Sequence, residues 1–146
     1  LKFSTKTRYG IRAVLEIALN DCENGIYQKE ISKNQQISYK YLDQILSALK
    51  ASGIVAKAGG RKSGYVLTRK PSEITVYDVH NAFEPGICVI DCLAMNISCE
   101  REKSCALKGF WGDLNNQIIR YFKSKTIQDL MEKQSNLEDN IASLAK

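Results

Sequence analysis

Apolar residues in TKTRYGIRAVLEIALND recur three and four positions apart at Ile11, Val14, Leu15, Ala18 and Leu19. That period predicts an amphipathic helix, closed by Asn20 and Asp21 ahead of Gly25. A shorter helix is expected around Ile31 in YQKEISKNQ. ISYKYLDQILSALKASGIV carries the fullest set of signals. Ser38 stands where a hydroxyl can take a free amide of the first helical turn. Ile37 and Leu42 flank it at the spacing of a hydrophobic staple. Leu42, Ile45, Leu46 and Leu49 form one buried stripe, and Gly53 supplies the left-handed residue that ends such a helix. Two short strands, Ile54–Lys57 and Tyr65–Thr68, follow around a glycine-rich loop. Past Pro71, Thr75 with Asp78 predicts a capping box, and Ile74 with Val79 a staple, for a short helix ending at Glu84. Leu107, Trp111, Leu114, Ile118 and Tyr121 alternate by four and three, the seam of a long helix that packs along another helix. Thr126 with Asp129 opens a last short helix through Met131, and QSNLEDNIASLAK reads as a polar tail with a faint helical pattern at Leu137, Ile141 and Leu144.

Three helices followed by a hairpin with a basic tip is the order of a winged helix-turn-helix. The expected fold is mainly α with a small β-hairpin wing. Its parts are a winged domain over 1–70, a connecting helix and cysteine-rich loop over 71–105, a dimerisation helix with a short C-terminal helix over 106–133, and a tail over 134–146. The buried stripe of the third helix leaves Tyr39, Lys40, Asp43, Gln44 and Ser47 toward solvent. With the cap residue Ser38, the first four gather at the helix end that enters a major groove in helix-turn-helix proteins. Arg61 and Lys62, at the wing tip, are placed for the phosphate backbone or the minor groove. A seam this long on so short a chain points to a two-fold homodimer, as paired operator half-sites require.

Charge sharpens this picture. Residues 1–70 hold 13 Lys and Arg against 5 Asp and Glu, whereas residues 71–146 hold 8 against 11. A polyanion is therefore expected to meet the first half, and double-stranded DNA is the expected partner. The 146 residues, 44 % of them hydrophobic, suffice for one globular unit. No run approaches the ~20 apolar residues that span a bilayer, and LKFSTKTRYGIR lacks the apolar stretch of an export signal. A cytoplasmic location, no membrane partner and no small-molecule substrate are expected. His80 reads as structural and Cys22 as a small buried residue. With one histidine and no base set beside the thiols, an enzyme is not expected; an electron carrier would have no use for a basic wing.

Four of the five cysteines fall in CVIDCLAMNISCEREKSC, where Cys88, Cys92, Cys99 and Cys105 are separated by three, six and five residues. Paired zinc knuckles need shorter gaps, and a reduced compartment disfavours disulfides. An iron–sulfur cluster, zinc and thiol-redox chemistry all stay open on spacing alone.

KFSTKTRYGIRAVLEIA, ISYKYLDQILSALKASGIV, GYVL, and three cysteines before LKGFWGDL together resemble the Rrf-two family of bacterial winged-helix regulators, from about Lys2 to Met131. That family includes an iron–sulfur cluster regulator, a nitric-oxide-sensing repressor and a cysteine-metabolism repressor without the cysteines. The resemblance implies a homodimer crossed through the long helix on a near-palindromic operator. It implies a two-iron or four-iron cluster on Cys92, Cys99 and Cys105, and it places Ser4, Lys6, Arg8 and Tyr9 in the segment that approaches the DNA backbone. Lys40, Asp43 and Gln44 fall at recognition-helix positions that contact DNA in relatives. The sequence departs from the family in four places. The first cysteine gap is one residue longer than in the cluster-binding members. Lys108 replaces a histidine ligand, and Arg8 an acidic one, which leaves the fourth ligand unassigned and Cys88 a candidate. The wing arginine is displaced by two positions in Gly59-Gly60-Arg61-Lys62-Ser63-Gly64-Tyr65. A thiol-redox or partner-controlled repressor without a cluster is the alternative on the same fold; an iron–sulfur electron carrier or enzyme is the alternative of another class.

Overall fold

A computed structural model describes residues 1–61, 63–94 and 97–146, so the expectation for Lys62 lies outside the described residues. Helices α1 (Thr5–Leu19), α2 (Gln28–Gln35) and α3 (Tyr39–Ala51) lead into strands β1 (Val55–Lys57) and β2 (Tyr65–Leu67). Helices α4 (Val76–Asn81), α5 (Ala106–Ser124) and α6 (Ile127–Leu144) follow. The strands pair antiparallel, with Val55 opposite Leu67 and Lys57 opposite Tyr65. This is the winged helix-turn-helix that the pattern predicts.

Local chemistry explains how the head holds its shape. The Ser38 hydroxyl accepts from the Tyr41 amide at 3.2 Å and starts α3. At the other end Gly53 takes φ +72°, and the Gly53 and Ile54 amides donate to Lys50 O and Leu49 O at 3.1 and 3.0 Å. Both bonds of a Schellman ending are thus present, and they aim the chain straight into β1. The base of the wing is strapped to the turn between α1 and α2: Ile26 N donates to Tyr65 O at 3.1 Å and Tyr65 N to Ile26 O at 2.8 Å. Gly64 makes that approach possible, since a Cβ there would stand 2.5 Å from the Ile26 backbone.

Under these elements lies one core, with Val14, Ile17, Ile31, Leu42, Ile45, Leu46, Leu49, Ile54 and Val55 all at or below 1 % exposure. The face α1 buries is rotated from the expected stripe. Ala13, Val14, Ile17 and Ala18 are buried, Ile11 and Leu15 are half-buried, and Leu19 is 42 % exposed. Small residues cause the rotation: a Cβ on Gly10 would lie 2.2 Å from the Phe83 ring, so that face is where the chain beyond α4 comes closest.

Further along, α4 ends at Asn81, three residues before the expected Glu84. Glu84 instead turns back toward α1, accepting from the Ser4 amide at 3.2 Å and the Thr7 hydroxyl at 2.7 Å. Thr75 and Thr126 each form a capping box with the aspartate three residues on. The two helix starts are stitched together, Val76 N to Lys125 O at 2.8 Å and Ile127 N to Ile74 O at 2.9 Å. Ile127, at 0 % exposure, therefore belongs to the core of the head. Nor does α6 stop at Met131. It runs to Leu144, through the segment expected as a tail. No glycine or proline interrupts it, and Gln128–Glu132 and Gln134–Glu138 hydrogen bonds at 3.1 and 2.8 Å link successive turns.

Candidate functional site

Two features of the head face outward together. Tyr39, Lys40, Asp43, Gln44 and Ser47 are all exposed on α3, and Arg61 is exposed at the wing tip. Gln28, buried in α2, donates from Nε2 to Tyr39 O at 3.3 Å and to Asp43 Oδ1 at 3.4 Å, which fixes the first turn of α3 against its neighbour. Burial pushes the Tyr65 hydroxyl above its ordinary range, and the Asp43 carboxylate and then Tyr39 add to the effect. The wing base and the exposed end of α3 thus share one electrostatic environment. Lys57 lies 4.1 Å over the Tyr65 ring and donates to Ser63 O at 3.2 Å, holding the hairpin closed below its tip.

At the start of α1, Lys6 and Arg8 are exposed, while Ser4 is half-buried as the N-cap, its Oγ accepting from Thr7 N at 3.1 Å. Tyr9 is packed against Tyr41 with ring centroids 5.8 Å apart, and the Arg12 guanidinium sits 5.3 Å from the Tyr9 centroid.

His80 ties this region to the rest of the chain. It is 2 % exposed, with Nε2 2.8 Å from Gly86 O and Nδ1 3.4 Å from Thr7 Oγ1. Phe3 and Phe122 meet the imidazole edge-on at 5.7 and 5.9 Å and stack on each other at 4.9 Å. The ring is a structural junction among α1, α4, α5 and the chain entering the cysteine segment. Hydrogen bonds from Ser4 and Thr7 hold the Glu84 carboxyl below its ordinary range against a smaller opposing effect of burial, and the charge of His80 adds a little to the lowering. Sequence reading missed Thr7, Gln28 and Glu84, because none of them belongs to a periodic stripe.

The cysteine segment packs against the first half of α5, where the Val89 amide donates to Asn115 Oδ1 at 2.9 Å. Cys92 and Cys105 are half-buried and Cys99 is exposed; Cys105 is the N-cap of α5. These three line a cavity of about 30 Å3 together with Glu102 and Lys108. Lys108 forms an ion pair with Glu102, and its hydrogen bond and charge hold the Glu102 carboxyl below the usual range. Cys88 is not among the residues around the cavity; it is exposed, its thiol donating to Ile90 O at 3.1 Å. Cys22, expected as buried, is also exposed, its thiol 3.4 Å from Gly25 O at the turn after α1.

Among the described residues no three His, Cys, Asp or Glu side chains converge closely enough to hold a metal ion. The three cysteines share a cavity wall without meeting at a point. Their chemistry nonetheless fits an iron–sulfur cluster, which takes thiolate ligands. The segment can also yield: its bonds Leu93 N–Ile90 O, Ala94 N–Asp91 O, Glu102 N–Cys99 O and Ser104 N–Arg101 O all close single turns. The start of α5 contributes free amides that favour a negatively charged group beside Cys105.

The family model for Rrf2, an iron-dependent transcriptional regulator, matches residues 3–133. The chain belongs to the Rrf2 family. Protein rrf2 of Nitratidesulfovibrio vulgaris is 31 % identical over 145 residues, 99 % of this chain and 97 % of that protein. The HTH-type transcriptional regulator IscR of Photorhabdus laumondii is 30 % identical over 138 residues, covering 94 % of this chain and 84 % of that one. Among solved structures, CymR, the global cysteine regulator of B. subtilis, superposes with TM-score 0.74 at 30 % identity, over 91 % of this chain and 98 % of that chain. IscR of T. potens superposes with TM-score 0.72 at 28 % identity, over 92 % and 88 %. As an Rrf2-family member the protein is a DNA-binding transcriptional regulator, as the relatives it resembles are transcriptional regulators. No helix among the described residues is long and apolar enough to cross a membrane.

Proposed function

We propose that this Rrf2 regulator works as a homodimer whose affinity for its operator is set by an iron–sulfur cluster held by Cys92, Cys99 and Cys105. The observation that carries the reading is the meeting of those three cysteines around one cavity at the start of α5. Bound there, a cluster would supply a soft, oxidation-sensitive centre that draws its ligands together. Cys105 caps α5 and Cys92 lies in the short turn Asp91–Leu93, so convergence of the ligands couples the order of the segment to the position of the long helix. Leu107, Trp111, Leu114, Ile118 and Tyr121 would form the dimer seam. Residues 1–70 then act as the reading head, 71–105 as the sensor and 106–133 as the dimer handle. Lys40, Asp43 and Gln44 would meet base edges, with Ser38 and Tyr39 beside them. Ser4, Lys6, Arg8, Arg61 and Lys62 would lie along the phosphates, giving salt-dependent affinity.

Anaerobic purification with visible absorption, iron and acid-labile sulfide analysis tests the sensor. A brown protein bleached by Cys92→Ala, Cys99→Ala or Cys105→Ala is expected. The operator test is the double variant Lys40→Ala with Gln44→Ala, expected to lose sequence selectivity while keeping its assembly. Selectivity equal to the parent's would remove α3 as the reading element.

A thiol-controlled regulator without a cluster is the second reading, favoured by the exposed Cys88 and Cys99 and by the likeness to CymR. A protein that stays colourless after iron and sulfide are supplied, yet changes operator affinity on mild oxidation, would establish it.

A further inference from the structure

From the residues lining the cysteine cavity, we infer that Glu102 is the fourth, oxygen ligand of the group held by Cys92, Cys99 and Cys105, and that Lys108 holds it ready. The inference rests on the cluster reading above and goes beyond it, since three cysteines leave one ligand position open. Among the described residues, Cys88 and His80 are engaged elsewhere, and Asp91 and Glu100 do not line the cavity. Cys88 is not among the cavity residues, and its thiol is turned to Ile90 O. The ring nitrogens of His80, the lone histidine, face Thr7 and Gly86 inside the head. Glu102 is the carboxylate that the fold sets in the cavity wall with the three thiols.

Its placement has two local causes. The Glu102 amide donates to Cys99 O at 3.0 Å, so a single turn fixes the carboxylate relative to one thiol. Lys108 stands on the first turn of α5, its amide donating to Cys105 O at 3.2 Å, and its ammonium pairs with the carboxylate. The exchange is simple to balance. Glu102 is already a carboxylate in the ion pair, so a bond from its oxygen to iron releases no proton and moves no electron. The lysine ammonium remains beside the site, where it offsets part of the negative charge brought by three thiolates and one carboxylate. A lysine at this position, a poor ligand itself, thereby has a use: it positions the residue that replaces it. Carboxylate oxygen is a harder donor than sulfur, so a site with one such ligand holds its reduction potential above that of an all-thiolate one.

The test uses the full-length protein reconstituted anaerobically with ferrous iron and sulfide. Four variants are compared with the parent: Glu102→Ala, Glu102→Cys, Lys108→Ala and Cys88→Ala. Glu102→Ala is expected to lose its visible absorption to a ferrous chelator about tenfold faster than the parent. Glu102→Cys is expected to keep the cluster with a shifted visible and electron-paramagnetic-resonance spectrum and a lower reduction potential. Cys88→Ala is expected to keep the parental spectrum and chelation rate, and Lys108→Ala to keep the spectrum while losing it to the chelator about threefold faster, less than Glu102→Ala. If Glu102 were only the partner of an ion pair, Lys108→Ala would match Glu102→Ala, and the inference would fall. It would fall equally if Glu102→Ala kept the parental spectrum and chelation rate. A parent protein that takes up no cluster would overturn the sensor reading itself, whereas a parent that takes one up with no dependence on Glu102 overturns only the ligand assignment.

Discussion

The two halves of this chain solve the problem of burying apolar surface differently. In the head, α1, α2, α3 and the wing enclose a core in which Leu42, Ile45, Leu46 and Leu49 are all at 0 % exposure. Along α5 no residue is buried, and Leu107, Phe110 and Tyr121 stand 63, 58 and 58 % exposed. Both helices have apolar stripes of similar quality, so the stripe alone does not decide the outcome. What decides it is whether the rest of the chain has surface left to cover it. The head closes on itself; along the α5 seam Trp111, Leu114 and Ile118 are half-buried by the chain, while Leu107 and Tyr121 stay open. That contrast supports assigning the head to reading and the handle to pairing.

The contrast can be broken from either side. Leu46→Ala should cost the head about 2–5 kcal/mol, read as a lowered urea midpoint at unchanged slope, because it opens a cavity where nothing can collapse. Ile118→Asp should leave the head folded and act on assembly instead. An unpaired charge at the seam is expected to weaken self-association by about 3 kcal/mol, on the order of a hundredfold, visible by analytical ultracentrifugation. The parent's thermal midpoint should rise with protein concentration, and the variant's should not. An Ile118→Asp protein that sediments like the parent would reassign the seam. Gly10→Ala probes the join between α1 and the chain after α4. With Phe83 in the path of the new methyl, about 1–3 kcal/mol of stability should be lost, and Gly10→Ala combined with Phe83→Leu should recover part of it.

Glu84→Gln gives the smallest effect. The Glu84 carboxyl titrates below its ordinary 4.5, so its contribution to stability is present above that value and fades as pH falls through the folded-state value. The parent should therefore exceed the variant in thermal midpoint at neutral pH, and the two should converge in acid. Curves that stay parallel down to pH 3 would mean that Ser4 and Thr7 do not favour the charged form.

Most of the head could be read from the chain because its signals are local. Ser38, Gly53 and the Thr75–Asp78 box act within four residues of themselves, and each sits where sequence spacing places it. The buried face of α1 could not be read so well. Counting large apolar side chains selected Leu15 and Leu19, while close approach at Gly10 turned Ala13 and Ile17 inward. The tail was misjudged for a related reason: beyond Met131 only the faint stripe Leu137, Ile141 and Leu144 marks a helix, all three exposed, yet helix propensity and side-chain pairs carry α6 to Leu144. In the cysteine segment, spacing alone left several chemistries open, and the family resemblance singled out Cys92, Cys99 and Cys105. Glu102 and Lys108 lie six residues apart on either side of a helix start, a separation with no periodic signature, so their pairing needed three dimensions.

The stitch between Thr75 and Thr126 has a mechanical meaning. It clamps the C-terminal end of α5 to the head, while the N-terminal end carries Cys105. A helix of 19 residues is about 28 Å long, so α5 is a lever with its fulcrum at the head. Swinging it by about 5° moves Cys105 through an arc of about 2.5 Å and scarcely disturbs Ile127. A displacement of bond-length scale at the cysteines is thereby geared down to a small change of angle between the head and its handle.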